Sequence, residues 1–175
     1  MEKIVYGGDE YYYHRGNVYD CSYVELNSGE AEEVLRDFYG KVDFSDQTEE
    51  QHFVFISDLK AARFYTKCLD VIFDRIKNHE LSPGYMKRVF PIITSCYRNL
   101  NQPQKAIDFW MENKEIYRYS LSVPLLTSLA AAYCDVKDYK NAKYCADKAY
   151  ALQRGGTGEK NELSLVYKRI QKETE

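Results

Sequence analysis

The sequence predicts a mainly α-helical protein built from antiparallel helical hairpins, with a small β-hairpin-containing appendage at its front. Three observations predict it. Glycine (9) and proline (4) are scarce in 175 residues, so helices meet few breakers. The back of the chain resembles itself at an offset of 36 residues, as Tyr97 and Tyr133 do. A tyrosine-rich run near the front alternates about a Gly-Asn pair, the pattern of a two-residue hairpin turn.

The elements follow in order. Residues 1–46 read as a small α+β appendage. Tyr11 to Arg15, the turn Gly16-Asn17 and Val18 to Val24 form the hairpin, with Arg15 opposite Val18. The pleat then sets Tyr12, His14, Tyr19, Cys21 and Tyr23 on one face and Tyr11, Tyr13, Arg15, Val18, Asp20 and Ser22 on the other. A lone hairpin is marginal in water, so the first face is expected to pack on a helix from about Glu30 to Tyr39, where Val34, Leu35 and Phe38 line up. Glu30, Glu32 and Glu33 near its start complement the helix dipole.

Residues 47–175 read as the helical domain. Leu59, Ala62, Leu69, Ile72, Phe73 and Ile76 define one amphipathic helix ending near Asn78. Thr48-Glu49-Glu50-Gln51 is a capping-box pattern that starts it early, Ser57-Asp58 offers a later start, and His52 to Ile56 is a β-prone run. Helix throughout is the favoured reading.

The repeat follows. Ile93-Thr94-Ser95-Cys96-Tyr97 aligns with Leu129-Ala130-Ala131-Ala132-Tyr133, and at the same offset Ala106 meets Ala142, Trp110 meets Ala146 and Asn113 meets Ala149. In the second unit Ser122 caps and Pro124 sits in the first turn of a helix to about Val136. Lys137-Asp138 turns the chain into a helix from about Tyr139 to Gln153, which Gly155-Gly156 stops. In the first unit Asn101-Gln102-Pro103 is the turn, and Pro91 is expected to kink the preceding helix or to move its start to about residue 90. Small Ala130, Ala142 and Ala149 suit close helix crossings, and Leu129, Tyr133 and Tyr139 fill the grooves. Leu163, Val166 and Ile170 give a terminal helix over about 161–172 an apolar face with which to cap the stack.

Leu129-Ala130-x-x-Tyr133, Asp138-Tyr139-x-x-Ala142 and Ala146-x-x-Ala149 resemble the signature of the tetratricopeptide repeat at that family's spacing. The unit at about 87–120 resembles it less closely, keeping Ile93, Tyr97, Ala106 and Trp110; the second unit spans about 123–156. The resemblance implies a short right-handed stack that binds a peptide or protein surface on the concave face formed by each unit's first helix. Carried onto this chain, that face presents Arg88, Ser95, Arg98, Asn99, Thr127, Ala131 and Asp135. The family's clamp for a C-terminal carboxylate needs Lys and Asn where this chain has Pro91 and Ser95, so that ligand is not expected.

Charge and chemistry narrow the function. Residues 1–57 hold thirteen Asp/Glu against four Lys/Arg, whereas 58–175 hold fourteen against twenty. Mutual neutralisation within one globule is the simpler consequence, and a basic surface for an acidic partner is the other. No uncharged apolar run approaches the roughly 20 residues of a membrane span, and Met1 to Gly8 has no signal-peptide pattern. Five scattered cysteines argue against a disulfide framework, and a cytoplasmic location is expected. His14 and Cys21 share a face of the hairpin without lying opposite each other, which favours packing over a nucleophile–base pair. The three histidines and five cysteines fall at no metal-ligand spacing, and neither glycine cluster is a phosphate loop. No catalytic residue, metal or cofactor is expected. Tyr11, Tyr13 and Arg15 could present rings and charge to single-stranded nucleic acid, but the acidic neighbours Asp9, Glu10 and Asp20 disfavour that against a protein partner. The expected function is a non-catalytic scaffold that binds a protein, a peptide or a second copy of itself. A nucleic-acid-associated factor and a subunit of an enzyme complex are the alternatives.

Overall fold

Two glycines shape the beginning of the chain. Gly7 and Gly8 both adopt positive φ, 62° and 96°, the backbone that a two-residue loop between right-twisted strands requires. They join β1 (Glu2–Tyr6) to β2 (Asp9–His14), which pairs on its other side with β3 (Asn17–Tyr19). The sheet is antiparallel in the order β1-β2-β3. The computed structural model describes residues 1–14, 17–41, 47–115, 121–153 and 160–174. Among these it has three strands and eight helices, in two compact units, Met1–Val71 and Ile72–Glu175.

In the first unit the expected hairpin is corrected in four respects. β1 was not foreseen. The register is His14 opposite Asn17 and Tyr13 opposite Val18, two residues from the expected pairing; Arg15 and Gly16 lie outside the described residues. β3 stops at Tyr19 rather than continuing to Val24. There Asp20 Oδ1 accepts hydrogen bonds from the backbone N–H of Ser22 (2.8 Å) and Val24 (2.9 Å), closing a turn with Tyr23 at φ 61°. Finally, the buried face is the opposite one. Ile4, Tyr13 and Val18 point inward, while Tyr12, His14 and Tyr19 share the other face. β1 supplies the reason, because Ile4 makes that face the one with aliphatic surface to cover.

The cover is α1 (Ser28–Lys41), which packs on β1 and β3 through buried Val34, Leu35 and Tyr39. Asn27 starts it, its Oδ1 accepting from the N–H of Gly29 and Glu30. Thr48 then starts α2 (Glu49–Ala61) with a complete capping box: its hydroxyl accepts from Gln51 N, and Gln51 Oε1 accepts from Thr48 N. His52, Ile56 and Leu59, four and three residues apart, are buried on one face, so helical spacing overrides the β-propensity of 52–56. The single helix expected to reach Asn78 is corrected. It breaks at Ala62-Arg63-Phe64, with Arg63 at φ 65°, and resumes as α3 (Tyr65–Asn78).

The second unit takes in the end of α3 and then α4 (Pro83–Asn99), α5 (Pro103–Asn113), α6 (Val123–Asp135), α7 (Tyr139–Gln153) and α8 (Lys160–Thr174). Ser82 caps α4 by accepting from Tyr85 N (3.1 Å), with Pro83 in the first turn. The helix therefore begins ahead of residues 87–90, and Pro91 lies inside it, where it removes one hydrogen bond without ending the helix. Ser122 caps α6 in the same way, as the sequence indicated. α6 packs on α4, α5 and α7, and α8 packs on α6 and α7. Leu129, Ala130, Ala142, Ala146 and Ala149 are buried, as are Leu163, Val166 and Ile170 of α8. Gly155 and Gly156 lie outside the described residues.

One turn recurs. α4 and α5 are joined by three residues, with Asn101 at φ 57°, Asn101 N donating to Arg98 O and Gln102 N to Tyr97 O (2.8 Å). α6 and α7 are joined by three residues, with Lys137 at φ 63°, Lys137 N donating to Cys134 O and Asp138 N to Tyr133 O (2.9 Å). These are Schellman motifs. Tyr97 and Tyr133 occupy the same backbone station, and both pack on the cluster of Ala106, Ile107 and Ala132. The break between α2 and α3 is the same motif again: Arg63 N donates to Lys60 O and Phe64 N to Leu59 O (2.9 Å).

Candidate functional site

The residues expected on a binding face divide three ways. Arg88 and Asn99 are exposed on α4, and Ser95 between them is partly exposed. Arg88 and Asn99 are eleven residues apart, three helical turns, so they share a stripe of α4. Asn99 Nδ2 donates to Ser95 O (2.8 Å).

Thr127 and Ala131 instead belong to the interior of α6, at 2% and 6% exposure. Their expected exposure is corrected. α6 is covered by α4, α5, α7 and α8, and a helix surrounded in this way has little free face.

Arg98 and Asp135 find each other. Arg98 Nε on α4 donates to Asp135 Oδ2 at the end of α6 (2.7 Å), and Arg169 Nη2 on α8 donates to Asp135 Oδ1 (2.6 Å). One carboxylate thus ties three non-consecutive helices. The Asp135 and Arg98 side chains are 26% and 28% exposed, Arg169 43%. Burial works against the Arg169 charge, but the hydrogen bond and the charge of Asp135 outweigh it and raise the guanidinium's pKa. Sequence reading missed Arg169. A signal existed, since the three charges alternate in sign and lie 37 and 34 residues apart, near the repeat offset.

The α7–α8 surface carries a second polar knot. Asp147 accepts from Lys143 Nζ (2.7 Å) and from the Tyr167 hydroxyl (2.8 Å). These bonds lower the Asp147 pKa. Burial first, then the bond to Asp147, push the Tyr167 phenol up to about 12.

The N-terminal trio does not form an aromatic and basic ribbon among the described residues. Tyr13 is buried at 5% exposure, Tyr11 is half-buried against Tyr6 (6.5 Å between ring centroids), and Arg15 lies outside the described residues. His14 is exposed at the end of β2, whereas Cys21 is exposed in the turn beyond β3. Cys68, Cys96, Cys134 and Cys145 are buried. Burial pushes the Cys145 thiol up to about 11, away from the thiolate a nucleophile needs. Among the described residues no group of three or more His, Cys, Asp or Glu could hold a metal ion, and no helix is long and apolar enough to cross a membrane. Comparison of the chain with protein-family models, curated proteins and solved structures finds no match.

Proposed function

We propose that the chain is a non-catalytic interaction protein whose second unit is a short tetratricopeptide-like stack, α4–α5 and α6–α7 capped by α8, and that it binds a protein or peptide on the exposed stripe of α4. The observation that carries this reading is the equivalence of Tyr97 and Tyr133: same turn, same carbonyl acceptor, same apolar cluster. The contact order supports it as well. α6 rests on both helices of the preceding pair, and α8 does the same on α6 and α7, which is how hairpins nest in a solenoid. A nested stack holds its side chains on rigid helices, so a bound segment meets a preorganised surface.

Arg98 is not free to serve that surface in the simplest way, because Asp135 engages it. The test uses Arg88→Glu with Asn99→Arg, chosen because both positions are exposed on α4, and compares it with Lys105→Glu and Asp108→Lys, exposed positions on α5. Proteins captured from native lysate by the unmodified chain should be lost from the α4 variant and kept by the α5 variant, with helical content equal in all three. Equal capture by both variants rejects the α4 stripe as the binding face.

A further inference from the structure

A cleft of about 720 Å³ opens in the first unit where three segments meet: β3 with the bridge of Tyr19 to Glu25, the first half of α1, and the break between α2 and α3. Leu26, Leu35 and Phe64 supply apolar lining. Among the described residues three charged side chains line it, Glu25, Glu32 and Arg63. Arg36 neutralises Glu32 (2.6 Å). The side chains of Glu25 and Arg63 make no ion pair or hydrogen bond among the described residues, either with each other or with any other group. Their backbones are held apart on separate turns. Glu25 pairs with Tyr19 and the next residue, Leu26, donates from its N–H to Val18 O (2.8 Å), whereas Arg63 N donates to Lys60 O (3.1 Å) and Phe64 N to Leu59 O (2.9 Å). The cleft therefore presents one free negative and one free positive charge at fixed stations beside apolar surface.

We propose that this cleft binds a small zwitterion with an apolar body, of the class of a free dipeptide, its carboxylate on Arg63 and its ammonium on Glu25. Each feature selects for it. An anion without a cationic group meets the like charge of Glu25, and a cation without an anionic group meets that of Arg63. A neutral apolar molecule displaces water from both charges and returns nothing for it. A guanidinium matches a carboxylate with two parallel N–H donors, and a compact ammonium offers three donors to a carboxylate. Clefts for small organic ligands run from about 300 to 1,000 Å³ and combine apolar lining with a few placed polar groups, so this one has room for two residues' side chains against Leu26, Leu35 and Phe64. The site lies within Met1–Val71 and does not rest on the α4 stripe.

The test titrates L-leucyl-L-leucine into the full chain and follows the backbone amide resonances of Leu26, Ala62 and Phe64 by NMR. The dipeptide is expected to shift them saturably. N-acetyl-L-leucyl-L-leucine, which lacks the ammonium, and L-leucyl-L-leucinamide, which lacks the carboxylate, are expected to bind at least about tenfold more weakly. Arg63→Gly removes the guanidinium and relieves the positive φ of 65°, so the fold is kept. It should weaken the dipeptide about tenfold and bind the amide no worse than the dipeptide. Glu25→Gln, at an exposed position, should weaken the dipeptide by a similar factor and bind the acetylated probe no worse than the dipeptide. Absence of a saturable shift, a blocked probe binding the parent as tightly as the dipeptide, or unchanged dipeptide affinity in either variant overturns the proposal.

Discussion

Replacing Arg63, Asn101 and Lys137 by glycine should stabilise the chain, because all three hold positive φ (65°, 57° and 63°) at the residue that ends a helix. A residue with a Cβ in this conformation is strained by roughly 1–2 kcal/mol relative to glycine. Glycine also loosens the unfolded chain, which returns about 0.4–1 kcal/mol. The net gain is roughly 0.5–1 kcal/mol each for Arg63→Gly and Lys137→Gly. It is smaller for Asn101→Gly, since asparagine visits this region readily. The three motifs share no hydrogen-bond partner, so the gains should add to about 2 kcal/mol. For a chain of this length that raises Tm by about 4–8 °C, readable by calorimetry at fixed protein concentration. Valine at the same positions should lower Tm, because β-branching makes positive φ worse. A triple glycine variant less stable than the parent would refute the turn geometry. Stabilisation at Asn101 and Lys137 without stabilisation at Arg63 would separate the α2–α3 break from the α4–α5 and α6–α7 turns.

Two further predictions concern the charges. Asp135→Asn should cost about 1–2 kcal/mol, more than an exposed pair and less than a fully buried one, since it leaves Arg98 and Arg169 facing each other without a counter-charge. The loss should shrink in 1 M salt, where screening acts over about 3 Å, and a loss independent of salt would mean that shape rather than charge holds the site. Tyr167 binds its proton more tightly folded than unfolded, so its contribution is complete below pH 10 and is lost as pH rises toward about 12. Asp147 has the opposite sign: its lowered pKa contributes above the usual carboxylate range and is lost on acidification. Tyrosine ¹³C NMR should place the Tyr167 phenol near 12 in the parent and lower in Asp147→Asn; an unmoved value would exclude the bond as a cause.

The legible parts of the fold are those fixed by local chemistry. Ser122 and Pro124 mark the start of α6, Pro103 the start of α5, and Thr48 with Gln51 the start of α2, because a cap acts within one turn. The illegible parts depended on residues acting against their preference or at a distance. Arg63 ends α2 without glycine or asparagine to announce it. Pro91 stays inside α4 because Ser82 and Pro83 had already started the helix. Gly7-Gly8 is a hairpin signal between Glu2–Tyr6 and Asp9–His14 that the sequence reading did not use. Missing it left out Ile4 and so inverted the buried face. The expected binding residues of α4 and α6 came from the resemblance alone, which carried no information on how α4, α5, α7 and α8 cover α6, and so listed the buried Thr127 and Ala131 beside Arg88, Ser95 and Asn99 of α4.

The Asp135 cluster also explains how helices packed through alanines keep one register. Ala130, Ala142, Ala146 and Ala149 allow close approach, but small smooth surfaces discriminate weakly between neighbouring positions along a helix, and apolar burial has no direction. The Schellman turns fix each hairpin internally and say nothing of how one hairpin meets the next. A carboxylate bonded at once to Arg98 of α4 and Arg169 of α8 is directional, and a shift by one residue along any of the three helices breaks a bond. The cluster therefore contributes more to uniqueness than to net stability, as partly buried charges do in some other helical assemblies. On that argument Asp135→Ala should retain helical content yet broaden the NMR resonances of α4, α6 and α8, because several registers become comparable in energy. Sharp, uniformly shifted resonances would assign the register to the apolar contacts alone.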